Sequence, residues 1–345
     1  MDTEVTTGNE DRTTFLIPHF PEKELLETIR SELAKSPEEI VLAELLKTEG
    51  FPPLSNEKVL SFILGISHQL LFTMAYAPER YYRRFQLPKR GGGTRPIATP
   101  RVFLKVVQRW ILLNILYRKK LPEFVTGFVP GRGLLSNATF HVGKKYLARL
   151  DIENFFPSIG ANRTSGIYEQ CGFPADVVNL LTRLSLLDGA LPQGSPTSPY
   201  LANLVFLPCD HEISKIAAAN NLTYSRYADD LTFSGNSPIA ADFISQIKTS
   251  IELHSFRLNL SKSKSVGPGQ RMITVGMVVN VKAHPNRSLR RQLRAKFHQA
   301  KHHPEHFVQE ARKLLGWAAY VNIYDQALGQ EYLEIARKTA AHKNP

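Results

Sequence analysis

Two adjacent aspartates lie between two strand-like runs, and this segment limits the possible fold and chemistry of the chain more than any other. The segment from Tyr224 to Ser234 has the pattern of two short strands, rich in aromatic and β-branched residues, around a tight turn at Ala228-Asp229. The turn places the carboxylates of Asp229 and Asp230 side by side, where they repel each other unless a cation lies between them. Carboxylate oxygens are the ligands that a hard ion such as Mg²⁺ prefers. The hairpin therefore raises two questions: whether a third carboxylate ends a comparable strand upstream, and whether the chain can hold a phosphate-bearing polymer.

The charge of the chain favours a nucleic acid as that polymer. The 345 residues include 43 Lys and Arg against 31 Asp and Glu, which gives a formal net charge of +12 and a pI of about 9.6. Such a surface is typical of proteins that bind nucleic acid or an anionic membrane. No apolar run is long enough to span a bilayer, and residues 1–14 lack the layout of a signal peptide, so we predict no membrane partner and a cytoplasmic location. With Cys171 and Cys209 as its only cysteines, the chain supports neither a disulfide framework nor a zinc site built on Cys.

Local patterns divide the chain before any function is assigned to it. Residues 1–14 are polar and without periodicity, which predicts a disordered tail, and helices are predicted over residues 15–50. A strongly apolar run predicts one buried helix over residues 56–74. Two strands joined by a glycine loop are predicted over residues 81–97, and a long helix over residues 101–119.

A third carboxylate does stand at the end of a predicted strand. Residues 146–152 alternate between apolar and polar side chains, and Asp151 comes at the end of that run. Together with Asp229 and Asp230 it could hold two metal ions about 3.5–4 Å apart, which clamp the attacking and leaving oxygens of a phosphoryl transfer. The alternative is that each acid is a solvated turn residue, which is where aspartate commonly lies. The case for a metal site therefore rests on the three acids as a set.

Three sequence blocks around these acids resemble the reverse transcriptases. In chain order they are Asp151 with Phe156, the loop Pro192-Gln193-Gly194-Ser195-Pro196-Thr197-Ser198-Pro199 with Leu201-Ala202-Asn203, and Tyr227-Ala228-Asp229-Asp230. Within that family the blocks look most like those of bacterial retron reverse transcriptases, and residues 137–141 match the NAxxH signature of the retron enzymes. The chain departs from the retron pattern at residues 274–276, where it has Thr-Val-Gly in place of the usual VTG triplet.

The resemblance implies a catalytic centre. Asp151, Asp229 and Asp230 would be the catalytic acids and, with the backbone carbonyl of Ile152, the ligands of two Mg²⁺ ions, for which Mn²⁺ is a possible substitute. Lys262 would be a catalytic lysine that protonates or shields the leaving pyrophosphate. The alternative for Lys262 is an ordinary surface lysine.

Binding of the incoming dNTP is implied at four residues. Lys89 and Arg95 flank the glycine loop and would grip the triphosphate, as a point charge and as a bidentate donor respectively; Arg90 is an equivalent candidate for the first role. Phe156 would lie under the sugar and leave no room for a 2′-OH, and Gln193 would line the nucleotide pocket. The alternatives are a solvated basic hairpin tip and ordinary core packing.

Nucleic-acid binding is implied at two further places. Asn137 and His141 of the NAxxH signature would contact RNA; the alternative is a helix N-cap and a hydrogen-bonded histidine one turn later. A predicted basic helix suits the wide minor groove of an A-like duplex, which proteins bind through shape and phosphates, although a solubilising face is the alternative. Its candidate residues are Arg287, Arg290, Arg291 and Arg294.

The resemblance also implies a fold and a function. The fold would be an α+β right-hand polymerase with interleaved fingers and palm and a helical thumb: a helical extension over residues 15–50, fingers over 51–147, palm over 148–280 and thumb over 281–345. The chain would be an RNA-directed DNA polymerase that copies a structured non-coding RNA from its own locus and primes from the 2′-OH of a guanosine. The product would be a branched RNA–DNA molecule. Such systems act in phage defence, and a separate effector protein encoded nearby would be a further partner.

Two other interpretations stay open at this point. One is a different bacterial reverse transcriptase, such as an intron maturase or a template-independent defence polymerase. The other is an RNA-binding scaffold or antitoxin component in which catalysis is secondary. The intact set of Asp151, Asp229 and Asp230 argues against a purely vestigial site.

Overall fold

The computed structural model describes residues 22–88 and 92–342, which fall into two compact units. The first unit contains the described residues up to Leu121 together with Asn154–Pro208, and the second contains Pro122–Glu153 together with the described residues from Cys209 onward. The predicted tail, Lys89 and Arg90 lie outside the described residues. The predicted boundaries of fingers, palm and thumb stay predictions.

Helices and short antiparallel strands alternate along the described chain, which confirms the predicted α+β class. The helices are α1 (Glu22–Thr28), α2 (Pro37–Thr48), α3 (Glu57–Leu64), α4 (His68–Tyr76), α5 (Val102–Asn114), α6 (Leu134–Thr139), α7 (Ala161–Glu169), α8 (Ala175–Ser185), α9 (Ser198–Ala219), α10 (Ala241–Leu253), α11 (Arg287–His302), α12 (Ala311–Tyr324) and α13 (Gln326–Ala341). The strands are β1 (Tyr82–Pro88), β2 (Thr94–Pro100), β3 (Tyr146–Asp151), β4 (Thr223–Tyr227), β5 (Asp230–Gly235), β6 (Lys264–Val266), β7 (Ile273–Thr274), β8 (Met277–Val278) and β9 (His284–Pro285).

The first unit is mostly helical and carries the β1–β2 hairpin. The two strands pair antiparallel, so the predicted strand pair is confirmed. The helix predicted over residues 101–119 is α5 followed by a 3₁₀ turn at Leu116–Arg118. The single helix predicted over residues 56–74 is wrong, because the chain breaks into α3 and α4. Gly65 ends α3 in the left-handed conformation at φ 63°, and Ser67 begins α4 by accepting the N–H of Leu70 at 3.2 Å.

A buried glutamine fixes the proline-rich loop within the first unit. The Gln108 side chain on α5 is fully buried, and its Nε2 donates to the Tyr82 hydroxyl at 2.8 Å and to the Leu184 carbonyl at 2.7 Å. Its Oε1 accepts from the Ser195 hydroxyl at 2.8 Å. An amide satisfied on both ends is stable in a core and costly to disturb. The loop after Leu191 is therefore held to α5 by a specific bond rather than by packing alone.

The second unit is built on a four-stranded antiparallel sheet with the order β4-β5-β3-β6. Side chains alternate between the two faces of a strand, so one face is the core and the other is polar. The core face carries Ala148, Leu150, Leu231 and Phe233, all buried. Phe243 of α10 packs edge-on against Phe233, with ring centroids 5.1 Å apart. The polar face carries Arg149, Asp151, Asp230 and Thr232 by the same alternation.

The C-terminal part of the second unit has its own small core. A three-stranded sheet has the order β7-β8-β9. Helices α11, α12 and α13 then pack on one another. Leu293, Phe297 and Ala300 face the interior at helical spacing, and the Phe297 ring stacks on Tyr332 with centroids 3.9 Å apart.

A helix that spans a membrane must be both long and apolar. Within residues 22–88 and 92–342, no single helix meets that requirement. Helices α3 and α4 meet it only when they are taken together across their 108° bend.

Candidate active site

The register of the central sheet brings three acids together. Strands β3 and β5 pair so that Asp151 lies directly opposite Asp230, and Asp229 occupies the turn before β5. Ala228, at φ 56°, adopts the left-handed conformation that closes this turn. The Ile152 N–H donates to the Asp229 carbonyl at 2.9 Å, which joins the end of β3 to the turn. The predicted hairpin and the adjacency of the third acid are confirmed; the catalytic roles, and the Ile152 carbonyl as a metal ligand, stay predictions.

Two cations are paired with the outer acids of this set. Lys262 Nζ lies 2.7 Å from Asp151 Oδ1, and Arg149 Nη2 lies 3.1 and 3.3 Å from the two carboxylate oxygens of Asp230. Burial raises the pKa of Asp229, the negative charges of Asp151 and Asp230 raise it further, and the positive charge of Lys262 offsets part of that rise. The three acids are thus close enough to repel one another. The positive charges of Lys262 and Arg149 reduce that repulsion.

The donor set fits a hard divalent cation, although its outer members are turned toward Lys262 and Arg149. Within the described ranges, no three His, Cys, Asp or Glu side chains are placed so that they could hold a metal ion. The side chains of Asp151 and Asp230 are instead in ion pairs, with Lys262 and Arg149 respectively, and each pair directs a carboxylate toward a cation of the protein. The ligands themselves are of the type that Mg²⁺ and Mn²⁺ prefer. Burial is the largest cause of the raised pKa of Asp229 and the charges of Asp151 and Asp230 add to it, so a bound cation would favour the ionised form of this carboxyl.

A buried ion pair supports the hairpin from behind. Arg226 on β4 and Asp210 on α9 are both completely buried, and Arg226 Nε donates to Asp210 Oδ1 at 2.8 Å. Arg226 Nη1 donates to the carbonyl of Ala228 in the turn at 3.0 Å, and the Tyr224 hydroxyl donates to Asp210 Oδ1 at 2.6 Å. The turn that presents Asp229 is therefore bonded to a buried charge. Sequence reasoning missed this pair, although an arginine inside an aromatic strand is an unusual residue that could have indicated it.

A glycine loop lies directly against the same turn. A Cβ on Gly127 would come within 2.6 Å of the Ala228 backbone nitrogen, so only glycine permits this approach. The N–H and the hydroxyl of Thr126 donate to the Arg226 carbonyl at 2.9 and 3.0 Å. Phe128 follows at φ 59°, half-exposed, with its ring centroid 5.9 Å from that of Tyr227. The loop thus fixes the outer side of the turn that carries Asp229.

Asn137 lies inside the second unit rather than on its surface. The residue is the fourth of helix α6, so the alternative interpretation as an N-cap is wrong. Its side chain is fully buried; Nδ2 donates to the hydroxyls of Thr126 and Ser225 at 2.9 and 2.8 Å, and Oδ1 accepts from Thr274 at 3.1 Å. All these bonds end on the protein, so the structure contradicts the prediction that Asn137 contacts RNA. The side chain instead joins α6 to the hairpin strand β4 and to β7.

His141 has the same structural role. Its side chain is fully buried, with Nδ1 and Nε2 each 2.7 Å from a serine hydroxyl, Ser234 on β5 and Ser225 on β4 respectively. Burial, helped by the charge of Lys144, lowers the pKa of His141 to about 3, so the ring is neutral. A neutral ring bonded across both hairpin strands is not available to RNA, and the predicted contact is wrong for His141 as well. The alternative, a histidine with satisfied hydrogen bonds, is confirmed.

Arg95 and Phe156, two of the predicted nucleotide-binding residues, belong to the first unit. Arg95 lies on β2 opposite Leu87 and is exposed to solvent. Phe156 is half-buried, with its ring centroid 5.6 Å from that of Phe155. Phe155 is buried and packs edge-on against Phe206 at 5.7 Å. Of two adjacent rings, one is therefore core and the other keeps a free surface, and the roles of Arg95 and Phe156 stay predictions.

Gln193 forms a hydrogen bond through its backbone, whereas the oxygen of its side-chain amide has no partner among the described residues. Its carbonyl accepts the N–H of Ala98 on β2 at 2.8 Å. Gly194 follows at φ 120°, where a Cβ would lie 2.8 Å from the Ala98 carbonyl oxygen, so glycine is required there. The Oε1 of Gln193 is buried and has no hydrogen-bond partner among the described residues. An unused acceptor suits a residue that lines a ligand pocket, and that role stays a prediction.

The four predicted duplex-binding arginines lie on α11 and are all exposed. They are Arg287, Arg290, Arg291 and Arg294. Asn286 caps the helix by accepting the N–H of Leu289 at 2.9 Å. The positive face is thus carried by a regular, capped helix whose opposite face is packed in a core.

Comparison with known proteins places this geometry in a family. The family described as reverse transcriptase (RNA-dependent DNA polymerase) matches residues 87–316. The chain is 32% identical over 330 residues to the retron Mx162 reverse transcriptase of Myxococcus xanthus, which covers 84% of this chain and 68% of that protein. It is 34% identical over 260 residues to the retron Ec86 reverse transcriptase of Escherichia coli, which covers 73% of this chain and 80% of that protein.

Among solved structures, a telomerase from Candida albicans in complex with a fragment of telomeric RNA is similar at a TM-score of 0.47 and 8% identity. The similarity covers 76% of this chain and spans 61% of that telomerase chain.

Proposed function

The chain belongs to the reverse transcriptase family, and within it to the retron reverse transcriptases, and from that premise we propose that it copies a structured non-coding RNA of its own locus into DNA. As a member of that family it is an RNA-directed DNA polymerase with the family's α+β polymerase fold. The observation that carries the proposal is the register of β3 and β5, which sets Asp151 opposite Asp230 beside the Asp229 turn. A set of three acids at one sheet end is what a nucleotidyl transfer needs.

The proposed reaction starts from the 2′-OH of a guanosine in that RNA. The 2′-oxygen attacks the α-phosphorus of a dNTP; a new phosphodiester bond forms, the bond to pyrophosphate breaks and the hydroxyl proton is lost. The product is a branched RNA–DNA molecule, extended afterwards from its own 3′ end. Asp151, Asp229 and Asp230 would hold two divalent ions, which supply Lewis-acid stabilisation of the phosphate charge when bound. Lys262, 59% exposed on its side chain, is free to turn from Asp151 toward the pyrophosphate and protonate it.

Substrate binding is proposed for the predicted nucleotide-binding residues and for the arginines of α11. Arg95 and Lys89 bind the triphosphate, Phe156 excludes a ribonucleotide 2′-OH with its free ring surface, and the unused Oε1 of Gln193 accepts a hydrogen bond from the nucleotide. The arginines of α11 bind the phosphates of the template–product duplex without reading its sequence. The family that matches the chain is described as RNA-dependent DNA polymerase, which supports RNA as the template partner; the particular RNA is part of the proposal.

The wider role proposed is phage defence in the cytoplasm, together with a separate effector protein. This part rests on membership of the retron group alone.

The test is to sequence the nucleic acid that co-purifies with the protein from cells that contain its natural locus. The proposal expects one short DNA joined through a 2′-linkage to one structured RNA from that locus. Random DNA, or a spliced intron, would contradict it in favour of a template-independent polymerase or an intron maturase. Intact RNA without attached DNA would favour a scaffold role, provided that the sample contains active protein.

A further inference from the structure

Arg149 faces the catalytic acids from the middle of the central sheet. It lies on β3 two residues before Asp151, so both side chains project from the polar face. In the register of β3 and β5, Arg149 is opposite Thr232 and Asp151 is opposite Asp230. Arg149 and Asp230 are therefore diagonal neighbours on one face, a separation that a long side chain spans.

The interaction between them is charge-assisted and partly shielded from solvent. Arg149 Nη2 lies 3.1 Å from Oδ1 and 3.3 Å from Oδ2 of Asp230, so one nitrogen is shared between both oxygens. The two side chains are 31% and 27% exposed. The Nε of Arg149 is buried and without a hydrogen-bond partner among the described residues. The guanidinium thus leaves one donor unsatisfied while its charge is directed at Asp230.

Lys262 and Arg149 are unequal partners of the acid set. Lys262 lies in the 3₁₀ turn Leu260–Lys262 and its side chain is 59% exposed, so it can leave Asp151 at little cost. Arg149 lies on a strand that is paired on both sides, by β5 and by β6, and its side chain is only 31% exposed. The charge that Arg149 brings is therefore a fixed part of the site.

We infer that Arg149 is a built-in counter-ion of Asp230 that competes with divalent ions for its carboxylate. It compensates the acid set in the metal-free protein, and it weakens the affinity of the free protein for Mg²⁺ or Mn²⁺. An ion then binds tightly only with an additional anionic ligand, such as the triphosphate of a nucleotide. The inference rests on the proposed function in one respect only, that divalent ions bind at these acids.

The test is a titration of purified protein with Mn²⁺, followed by the paramagnetic resonance signal of the free ion, without RNA or nucleotide. Arg149→Gln removes the charge and keeps a polar side chain. We expect it to bind Mn²⁺ about tenfold more tightly than the wild type, because the ion no longer meets the repulsion of a positive charge a few Å away. We also expect its melting temperature to be lower in EDTA and to rise more steeply with Mn²⁺.

Lys264→Gln is the matched control. Lys264 is exposed and lies opposite Arg149 in the register of β3 and β6, so it shares the polar face, yet no carboxylate of the described residues lies within salt-bridge distance of it. Its removal changes the net charge equally and should change Mn²⁺ affinity by less than twofold. If the two substitutions changed Mn²⁺ affinity equally, Arg149 would act only through the net charge of the protein, and the inference would be overturned.

A second pair of variants keeps the test decisive if Arg149→Gln folds poorly. Arg149→Lys retains the charge and should bind Mn²⁺ like the wild type. In an Asp230→Asn background, Arg149→Gln should change Mn²⁺ affinity by much less than it does in the wild-type background, because the ion pair is already broken. Wild-type Mn²⁺ affinity as tight as that of Arg149→Gln would contradict the inference. None of these readouts needs DNA synthesis, so a failure of the inference differs from a failure of the proposed function.

Discussion

At the scale of single residues, Asp229 shows a conflict between stability and activity. Burial and the neighbouring acids raise its pKa, which means that the folded protein binds this proton more tightly than the unfolded chain does. Ionised Asp229 therefore lowers the free energy of unfolding at neutral pH, and stability is recovered only as the pH falls through its raised pKa. In the proposed function, the charge of Asp229 helps to hold the metal ions, which would account for an acid at a position where it lowers stability.

Asp229→Asn should accordingly stabilise the metal-free protein while it abolishes polymerisation. We expect a rise of a few degrees in melting temperature in EDTA at neutral pH, and a loss of DNA synthesis of at least about 1000-fold, which corresponds to about 4 kcal/mol. Thermal unfolding followed by circular dichroism measures the first effect and dNTP incorporation the second. Asp230→Asn is the matched comparison: it loses the pair with Arg149 and should not gain stability. A lower melting temperature for Asp229→Asn would contradict the account.

His141 predicts a second, independent dependence on pH. Burial lowers its pKa to about 3, so the unfolded chain takes up the proton first as the pH falls below about 6.5. Stability from this residue is complete above about pH 6.5 and is lost progressively toward about pH 3. Between about pH 6.5 and pH 5 the loss should be about 2 kcal/mol, because each pH unit contributes about 1.4 kcal/mol.

Urea unfolding at several pH values measures this loss. In His141→Gln the acid-dependent part should vanish, whereas His298→Gln, which removes an exposed histidine of α11, should leave the slope unchanged. An unchanged slope in His141→Gln would show that another group is responsible.

The sequence allowed us to predict which residues form the acid set, but not which of the candidate residues are buried. The set Asp151, Asp229 and Asp230 followed from residue type and spacing, because carboxylates at strand ends carry their own chemical signal. The roles of Asn137 and His141 did not, since a short motif gives no information on burial. Only the fold shows that both side chains are enclosed between α6 and the hairpin.

At the scale of elements, the β4–β5 hairpin is held on both sides. Arg226 bonds the turn to the buried Asp210, and Thr126 bonds β4 to the glycine loop. Neither support was predicted from sequence, because both join segments that are far apart in the chain, Asp210 on α9 and the loop before α6. The helix break between α3 and α4 was missed for another reason: the signals at Gly65 and Ser67 are present, but the apolar run outweighed them.

Gly127→Ala tests whether the loop positions the turn. The new Cβ would lie 2.6 Å from the Ala228 nitrogen, so loop or turn must move. We expect a drop in kcat for dNTP incorporation of at least about tenfold, with the far-ultraviolet circular dichroism unchanged.

Gly133→Ala is the matched control in the same loop region. A Cβ there meets nothing within 4 Å, and its backbone is extended, so activity should stay close to that of the wild type. Equal activity of the Gly127 and Gly133 variants would show that the turn tolerates displacement of the loop.

At the scale of the whole molecule, helix α11 contributes a run of basic side chains without an acidic residue to the net positive charge of the chain. The double substitution Arg290→Gln, Arg294→Gln should weaken RNA–DNA duplex binding by a similar factor for every sequence. It should also lower the slope of log K against log salt by about 0.7–0.9 for each phosphate that is no longer neutralised. Filter binding at a series of salt concentrations measures both quantities.

Arg337→Gln, on the exposed side of α13, is the control for net charge and should leave the slope nearly unchanged. A sequence-dependent loss of affinity in the double variant would contradict binding through phosphates alone.

At this scale the class of fold could be predicted from the sequence. The division of the chain into two compact units could not. Motif order and the hairpin pattern sufficed for an α+β polymerase, and the family match confirms it. The return of residues 154–208 to the first unit follows from packing between distant segments. No local pattern of hydrophobicity carries that information.

The central claim is tested most directly by DNA synthesis on the RNA that co-purifies with the protein. Purified complex is supplied with labelled dNTPs and Mg²⁺, and the products are separated before and after RNase treatment. The account predicts labelled DNA joined to RNA, shortened by RNase to a stable DNA, and none from the double variant Asp229→Asn, Asp230→Asn. Absence of labelled DNA from the wild-type complex, or equal amounts from the double variant, would contradict it.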